Sequence, residues 1–296
     1  MRLSAALSSL LPWPLVTIDS LRPVCLQAFR PIPTDNFNAD VSMTEHVDLV
    51  WEDACCAATQ HWGLKWGISS HAVDTKLIYD SFVWRHLFGK ANDGPCSVLE
   101  LLPGSSLTIP LALISAGIDC KLIRLDRNVG SIRDPQTSAG IDITHMVADL
   151  HESEISWHGY SWVVGNHILD DLILAGWDRS SYVRSFGDPM KTRELCLDFL
   201  RSEKRFALIE RSASRLCNLA RTLDPGATLL LREYPASFAL FHCLTEQIVI
   251  HGEIFSAVKS GLETLPGRLS VEDLTSISVP RISKLPGTVI RYQAIC

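Results

Sequence analysis

From Cys96 onward the chain alternates short apolar runs with helical segments, and this alternation restricts the fold more than any other feature of the sequence. "CSVLELL" reads as a strand. "SLTIPLALISAG" reads as a helix capped by Ser105 or Ser106 and ended by Gly117. "CKLIRLD" and "YSWVVGN" read as further strands, the second apolar on both faces as a central strand requires. "RSASRLCNLARTL" is a helix, closed by the turn Asp224-Pro225-Gly226, and "ATLLLREYP" is a strand. A long helix, "FHCLTEQIVIHGEIFSAVKSGLETL", follows, and then two strand-like runs, "LTSISVPRI" and "GTVIRYQAI", joined by Lys284-Leu285-Pro286-Gly287. Strand and helix in alternation imply a doubly wound α/β fold: a mostly parallel sheet with helices on both faces. The closing pair must be antiparallel, because a parallel crossover needs a dozen or more residues.

Ahead of this region the pattern differs. Residues 44–90 are helical in pattern, with Leu77, Ile78, Phe82, Val83 and Leu87 at helical spacing, and Asn92-Asp93-Gly94-Pro95 marks a boundary. We therefore expect a leader or poorly ordered segment over residues 1–42, an N-terminal helical cap over 43–94 and the α/β domain over 95–296. Trp51, Trp62, Trp66 and Trp84 fall in the cap, where aromatic burial is the common use and an acceptor pocket or lid the functional one.

Composition bounds the partners. Apolar residues make up 47% of the 296 residues and the formal charge is -6, so nothing favours a nucleic-acid partner. No run of about 18 or more apolar residues is present, the length a membrane-spanning helix needs. Nine scattered cysteines without metal-ligand spacing read as buried thiols in a reducing compartment. A cytoplasmic protein is expected, with a loose targeting pattern in the first residues. Oligomeric state is not encoded legibly.

In an open α/β sheet, ligands sit beyond the carboxyl ends of the strands. The first strand ends in Glu100 and the turn at 102–106; the second ends in Asp126, 22 residues after Gly104. Asp149 precedes a polar loop. The fourth strand runs into "NHILDDL", where a helix starting near Asn166 would put His167 and Asp171 on one face at i, i+4, as base and orienting carboxylate. A metal site from His167, Asp170 and Asp171 lacks any further identifiable ligand, so no metal is expected. Glu233 and Tyr234 end the fifth strand and could line the same pocket.

In this order the residues resemble the class I S-adenosylmethionine-dependent methyltransferases. "VLELLPGSS" is similar to the family's first motif, "LIRLD" to its second-strand acid, and "ADL" followed by "YSWVVGNHILDDL" to its adenine-contacting aspartate and fourth strand. "LARTLDPGATLLLREYP" resembles the family's helix, Pro-Gly turn and fifth strand, and the closing pair fits its reversed seventh strand. The resemblance covers residues 95–296.

It implies a seven-stranded, mostly parallel sheet with a reversed last strand and S-adenosyl-L-methionine as cofactor. The reaction expected is methyl transfer to an O or N atom of a small-molecule acceptor, with a protein or peptide acceptor left open. By position, Glu100 would face the methionine amino group and Gly104 would let the backbone approach the cofactor. Asp126 would bind the ribose hydroxyls, Asp149 the adenine amino group, and Asn166 would lie along the methionine. Leu102, Ser105, Arg127 and Leu150 would flank these cofactor contacts. Leu102 and Ser106 stand where the family has glycine, and Leu102 opposes a left-handed backbone. Asn166-His167-Ile168-Leu169 replaces the Asn-Pro-Pro-aromatic signature of nucleic-acid methylation. Two other readings stay open: a non-catalytic methyltransferase-like partner protein, and a nicotinamide-dependent oxidoreductase, which the absence of GxGxxG disfavours.

Overall fold

A computed structural model of the chain describes residues 80, 83–88, 96–104, 106–127, 141–151, 154–185, 188–233, 245–274 and 288–295. Its seven strands form one sheet in the order β3-β2-β1-β4-β5-β7-β6, with β7 antiparallel to both its neighbours. This is the seven-stranded arrangement with a reversed last strand expected above, the class I methyltransferase fold. The chain divides into two compact units, Met1–Met146 with Thr275–Leu285, and Val147–Leu274 with Pro286–Cys296.

In the first unit, β1 (Cys96–Leu101) and β2 (Cys120–Asp126) pair in parallel from Cys96↔Cys120 to Leu101↔Leu125. Both are apolar on two faces, and Val98, Leu99, Leu122 and Leu125 are fully buried. Between them α1 (Thr108–Ser115) is almost wholly apolar and buried. Pro110 is tolerated because it lies in the first turn, where an N–H has no intrahelical partner. Gly117, at φ 66, ends the helix where expected: its N–H and that of Ile118 bond back to Ile114 and Leu113. β3 (Ile141–Val147) buries only Ile141, and its other positions are half-buried or exposed. Upstream, the helical segment 83–88 buries Trp84 completely against Phe88, ring centroids 5.6 Å apart, so this tryptophan is core. Apart from Asp80, which is buried, the rest of the expected cap, with Trp51, Trp62 and Trp66, lies outside the described residues, as does the expected leader.

In the second unit, β4 (Trp162–Asn166) and β5 (Thr228–Glu233) pair in parallel, and every residue of β5 is buried. Four helices connect them: α2 (Leu169–Trp177), α3 (Arg179–Ser185), α4 (Pro189–Arg201) and α5 (Arg205–Ala220). Only the last was read from its periodicity. After β5, α6 (Thr245–Glu263) packs against α5, with Cys217 set against Val258 and Gly261.

The sheet closes with β6 (Gly267–Asp273) and β7 (Thr288–Ala294), antiparallel from Gly267↔Ala294 to Asp273↔Thr288. The antiparallel pair was expected, but β6 lies ahead of "LTSISVPRI". As an outermost strand it keeps only half-buried and exposed positions, so the more apolar run after it mimics a strand better. Residues 275–287 lie outside the described residues. Among the described residues, Cys96, Cys120, Cys196 and Cys217 are free thiols, and burial pushes Cys196 up to about 12. No described helix is long and apolar enough to cross a membrane.

Candidate functional site

The first unit builds a tight turn at the carboxyl end of β1. Leu102 follows the strand at φ 48, and its N–H donates to the Leu125 carbonyl at 2.8 Å, carrying the strand pairing one residue past β1. Gly104 sits at φ 52, with open space where a side chain would be. Leu102 therefore adopts the left-handed conformation that branched side chains disfavour by roughly 1–2 kcal/mol. The neighbouring strand fastens the turn twice. Asp126 Oδ2 accepts the Gly104 N–H at 3.3 Å, and Arg124 Nη2 donates to the Ser106 carbonyl. Ser106 Oγ accepts the Thr108 N–H at 3.3 Å, but the N-cap of α1 is Leu107, which makes no side-chain cap hydrogen bond, so the helix starts one residue beyond the expected serine cap.

Glu100 points into this clamp. It is 3% exposed, and Arg124 Nε, itself fully buried, donates to its Oε2 at 2.7 Å. The two residues are register partners across β1 and β2, so the pair is fixed by strand alignment. Such a pair holds only because each charge cancels the desolvation of the other.

The second unit ends β4 in a comparable bend. His167 has φ 57 and its N–H donates to the Arg232 carbonyl at 2.8 Å. Asn166 Oδ1 accepts from Arg232 Nη1 at 3.1 Å, again between register partners. The helix α2 begins at Leu169, with Ile168 as its N-cap. His167 therefore lies ahead of the helix, and the expected i, i+4 alignment of His167 with Asp171 on one helix face does not arise, because the left-handed bend at His167 delays the helix. The carboxylates measured beside His167 are Asp170 Oδ1, 3.6 Å from Nε2, and Glu233 Oε2, 3.7 Å from Nδ1.

Glu233 is completely buried at the end of β5. Its Oε1 accepts the Ile168 N–H at 3.2 Å and its Oε2 meets His251 Nε2 at 2.8 Å. His251 comes from α6 and stacks on His167, ring centroids 5.6 Å apart. Burial opposes its protonation. The hydrogen bond and charge of Glu233, helped by Asp170 and Asp171, outweigh that and hold its pKa above the ordinary imidazole value.

Of the residues expected from sequence, Leu102, Gly104 and Asp126 meet in one turn, with Glu100 beneath it. Arg127 follows Asp126, half-buried, and Ser105 lies outside the described residues. Asp149 Oδ1 accepts the His151 N–H at 2.9 Å, a local Asx turn, and Leu150 is buried with its carbonyl accepting from Arg215 Nε at 2.8 Å. Asp171 is half-buried on α2. Tyr234 lies outside the described residues. Three polar groups were not anticipated: Arg124, Arg232 and His251. A charged pair, Arg232-Glu233, closing a wholly apolar strand was a usable signal for the second.

No protein-family model matches the chain, and no curated protein matches it. Solved structures similar to it include the N-methyltransferase NodS from Bradyrhizobium japonicum WM9, at 9% identity over 75% of this chain and 94% of that one, TM-score 0.38. The plantazolicin methyltransferase BpumL in complex with SAH is similar at 8% identity over 86% and 99%, TM-score 0.44. A loganic acid methyltransferase with SAH is similar at 7% over 75% and 93%, TM-score 0.44. At these scores the likenesses carry nothing about residues or acceptors.

Proposed function

We propose that the chain is an S-adenosylmethionine-dependent methyltransferase acting on an O or N atom of a small-molecule acceptor. The observation that carries this reading is the β1 turn: Leu102 keeps a left-handed backbone against its own side chain. Strain of this kind persists where surrounding structure over-determines it, and it gathers at ligand-binding positions. The turn holds Gly104 open beside a strand-end carboxylate, Asp126, at the spacing a ribose-binding acid requires.

The residues fit the cofactor at the turn and at Asp126. They fit less simply at Glu100, whose Oε2 is committed to Arg124. When bound, S-adenosylmethionine supplies an activated methyl group, so the protein's own tasks are alignment and exclusion of water. Gly104 would admit the ligand close to the backbone, and Asp126 would exchange the Gly104 N–H for ribose hydroxyls. By the family resemblance, Asp149 and Leu150 would serve the adenine and Asn166 the methionine. The reading asks for no general base from His167 and Asp171.

Titration calorimetry of the full chain with S-adenosylmethionine and S-adenosylhomocysteine tests it. Wild type binds both, and Asp126→Ala binds at least about tenfold more weakly, the loss expected for hydrogen bonds to a charged group. Silence of the wild type toward both ligands overturns the reading. One observation favours a second reading, a non-catalytic methyltransferase-like partner: the carboxylate of Glu100 is sealed in a buried ion pair. The same silent titration is what that reading expects.

A further inference from the structure

Within the Val147–Leu274 unit, the bend after β4, the end of β5 and the helix α6 converge on a cluster that methyl transfer does not use. We propose that His167, Glu233 and His251 bind a divalent first-row metal ion of the zinc class, with Asp170 as the carboxylate that orients His167.

One ligand atom from each of the three residues lies within 4.8 Å of the others. Glu233 Oε2 stands 2.8 Å from His251 Nε2 and 3.7 Å from His167 Nδ1. A tetrahedral zinc ion with bonds of about 2 Å sets its ligand atoms roughly 3.3 Å apart, so these separations straddle what the ion requires. Two imidazoles and a carboxylate are a donor set that suits zinc and its neighbours over magnesium or calcium, which favour oxygen alone.

The outer contacts carry the argument further. Asp170 is 1% exposed, and its Oδ1 has no hydrogen-bond partner while standing 3.6 Å from His167 Nε2. A metal on Nδ1 fixes the tautomer with the proton on Nε2, which then donates to that oxygen. This is the carboxylate–histidine–metal relay that orients ligating histidines. The remaining oxygens are already held: Asp170 Oδ2 by Gln247 Nε2 at 2.7 Å, and Glu233 Oε1 by the Ile168 N–H at 3.2 Å. Two buried carboxylates beside two imidazoles offer a dication both compensating negative charge and nitrogen lone pairs. Three protein ligands leave a fourth position open, the arrangement of zinc sites that also bind water or substrate.

The inference does not depend on the methyltransferase reading. Its test uses metal alone, so either can fail while the other stands. The full chain is stripped with a chelator and titrated with Zn²⁺ by calorimetry and with Co²⁺ by visible absorption. The expected result is one ion per chain, intense absorption from a low-coordinate Co²⁺ site, and a Zn²⁺-dependent rise in melting temperature. His167→Ala and His251→Ala each abolish the cobalt spectrum. Asp170→Asn retains one site but weakens it by tenfold to a hundredfold, the usual cost of losing such an orienting partner. Circular dichroism confirms that each variant is folded. Should a variant fail to fold, metal analysis of the untreated wild-type protein and its Zn²⁺-dependent melting decide. Absence of stoichiometric binding by the wild type, or binding unchanged in both histidine variants, overturns the proposal.

Discussion

Where β1 ends, Leu102 takes φ 48 and its N–H reaches the Leu125 carbonyl at 2.8 Å; where β4 ends, His167 takes φ 57 and reaches the Arg232 carbonyl at 2.8 Å. Each bend is preceded by a polar side chain, Glu100 or Asn166, held by a buried arginine at the matching register position of the next strand. The backbone device is the same, and in neither bend is the first left-handed residue a glycine. What differs is the partner and the outcome. Arg124 meets a charge and its turn opens beside Gly104; Arg232 meets a neutral amide and its bend leads to a histidine flanked by buried carboxylates. The lesson is that a strand exit can demand left-handed backbone from whatever residue stands there. Counting glycines misjudges such a turn.

The largest expected difference lies in the two arginines. Arg124→Met strands the Glu100 carboxylate in the core, and loss of one partner of a buried pair costs about 3–5 kcal/mol. Arg232→Met deprives Asn166 of a hydrogen bond from a charged guanidinium to a neutral amide, for which about 1–3 kcal/mol is expected. Urea denaturation of both variants measures the gap. Equal losses would show that the two clamps are energetically alike, and would break the comparison.

The strands that flank these bends were legible because β1, β2, β4 and β5 are apolar on both faces, a pattern few other structures share. The bends were not. Leu102 reads against a left-handed position, and Arg124 inside "LIRLD" looks like a lapse in an apolar strand until the register sets it opposite Glu100. The same limit hid the histidine cluster. His251 lies mid-helix among apolar residues, and only tertiary packing brings it to His167 and Glu233. Helix α4 was missed for a smaller reason. Asp188-Pro189 is a helix-start signal, and Asp188 Oδ1 accepts the N–H groups of Met190 and Lys191, yet the charged run behind it masked the periodicity.

A smaller contrast sits in the glycines beside the bends. An alanine side chain at Gly165 would come within 2.7 Å of Ile168 Cδ1 and 3.0 Å of Leu231 Cδ2, both in fully buried side chains. Gly165→Ala therefore overpacks the core, at about 1–3 kcal/mol. Gly104→Ala meets nothing within 4 Å and is strained only by its φ of 52°, at about 1 kcal/mol. Thermal melts rank the two. A larger loss at Gly104 would mean that the space above the β1 turn is closed, against its reading as a ligand approach.

The smallest effects test the bends themselves. Leu102→Gly relieves the left-handed backbone, but the unfolded chain gains freedom and a half-buried side chain is lost. These terms nearly cancel, so stability should change by no more than about 0.5 kcal/mol. His167→Gly receives the same backbone relief and also loses the ring stacked on His251 between Asp170 and Glu233. It should come out about 1 kcal/mol less stable than wild type, near the average for single substitutions. Denaturant midpoints at matched slope read this difference. If Leu102→Gly instead destabilises as much as His167→Gly, the Leu102 side chain supports the fold. The strain at the β1 turn would then be held for packing rather than for a ligand.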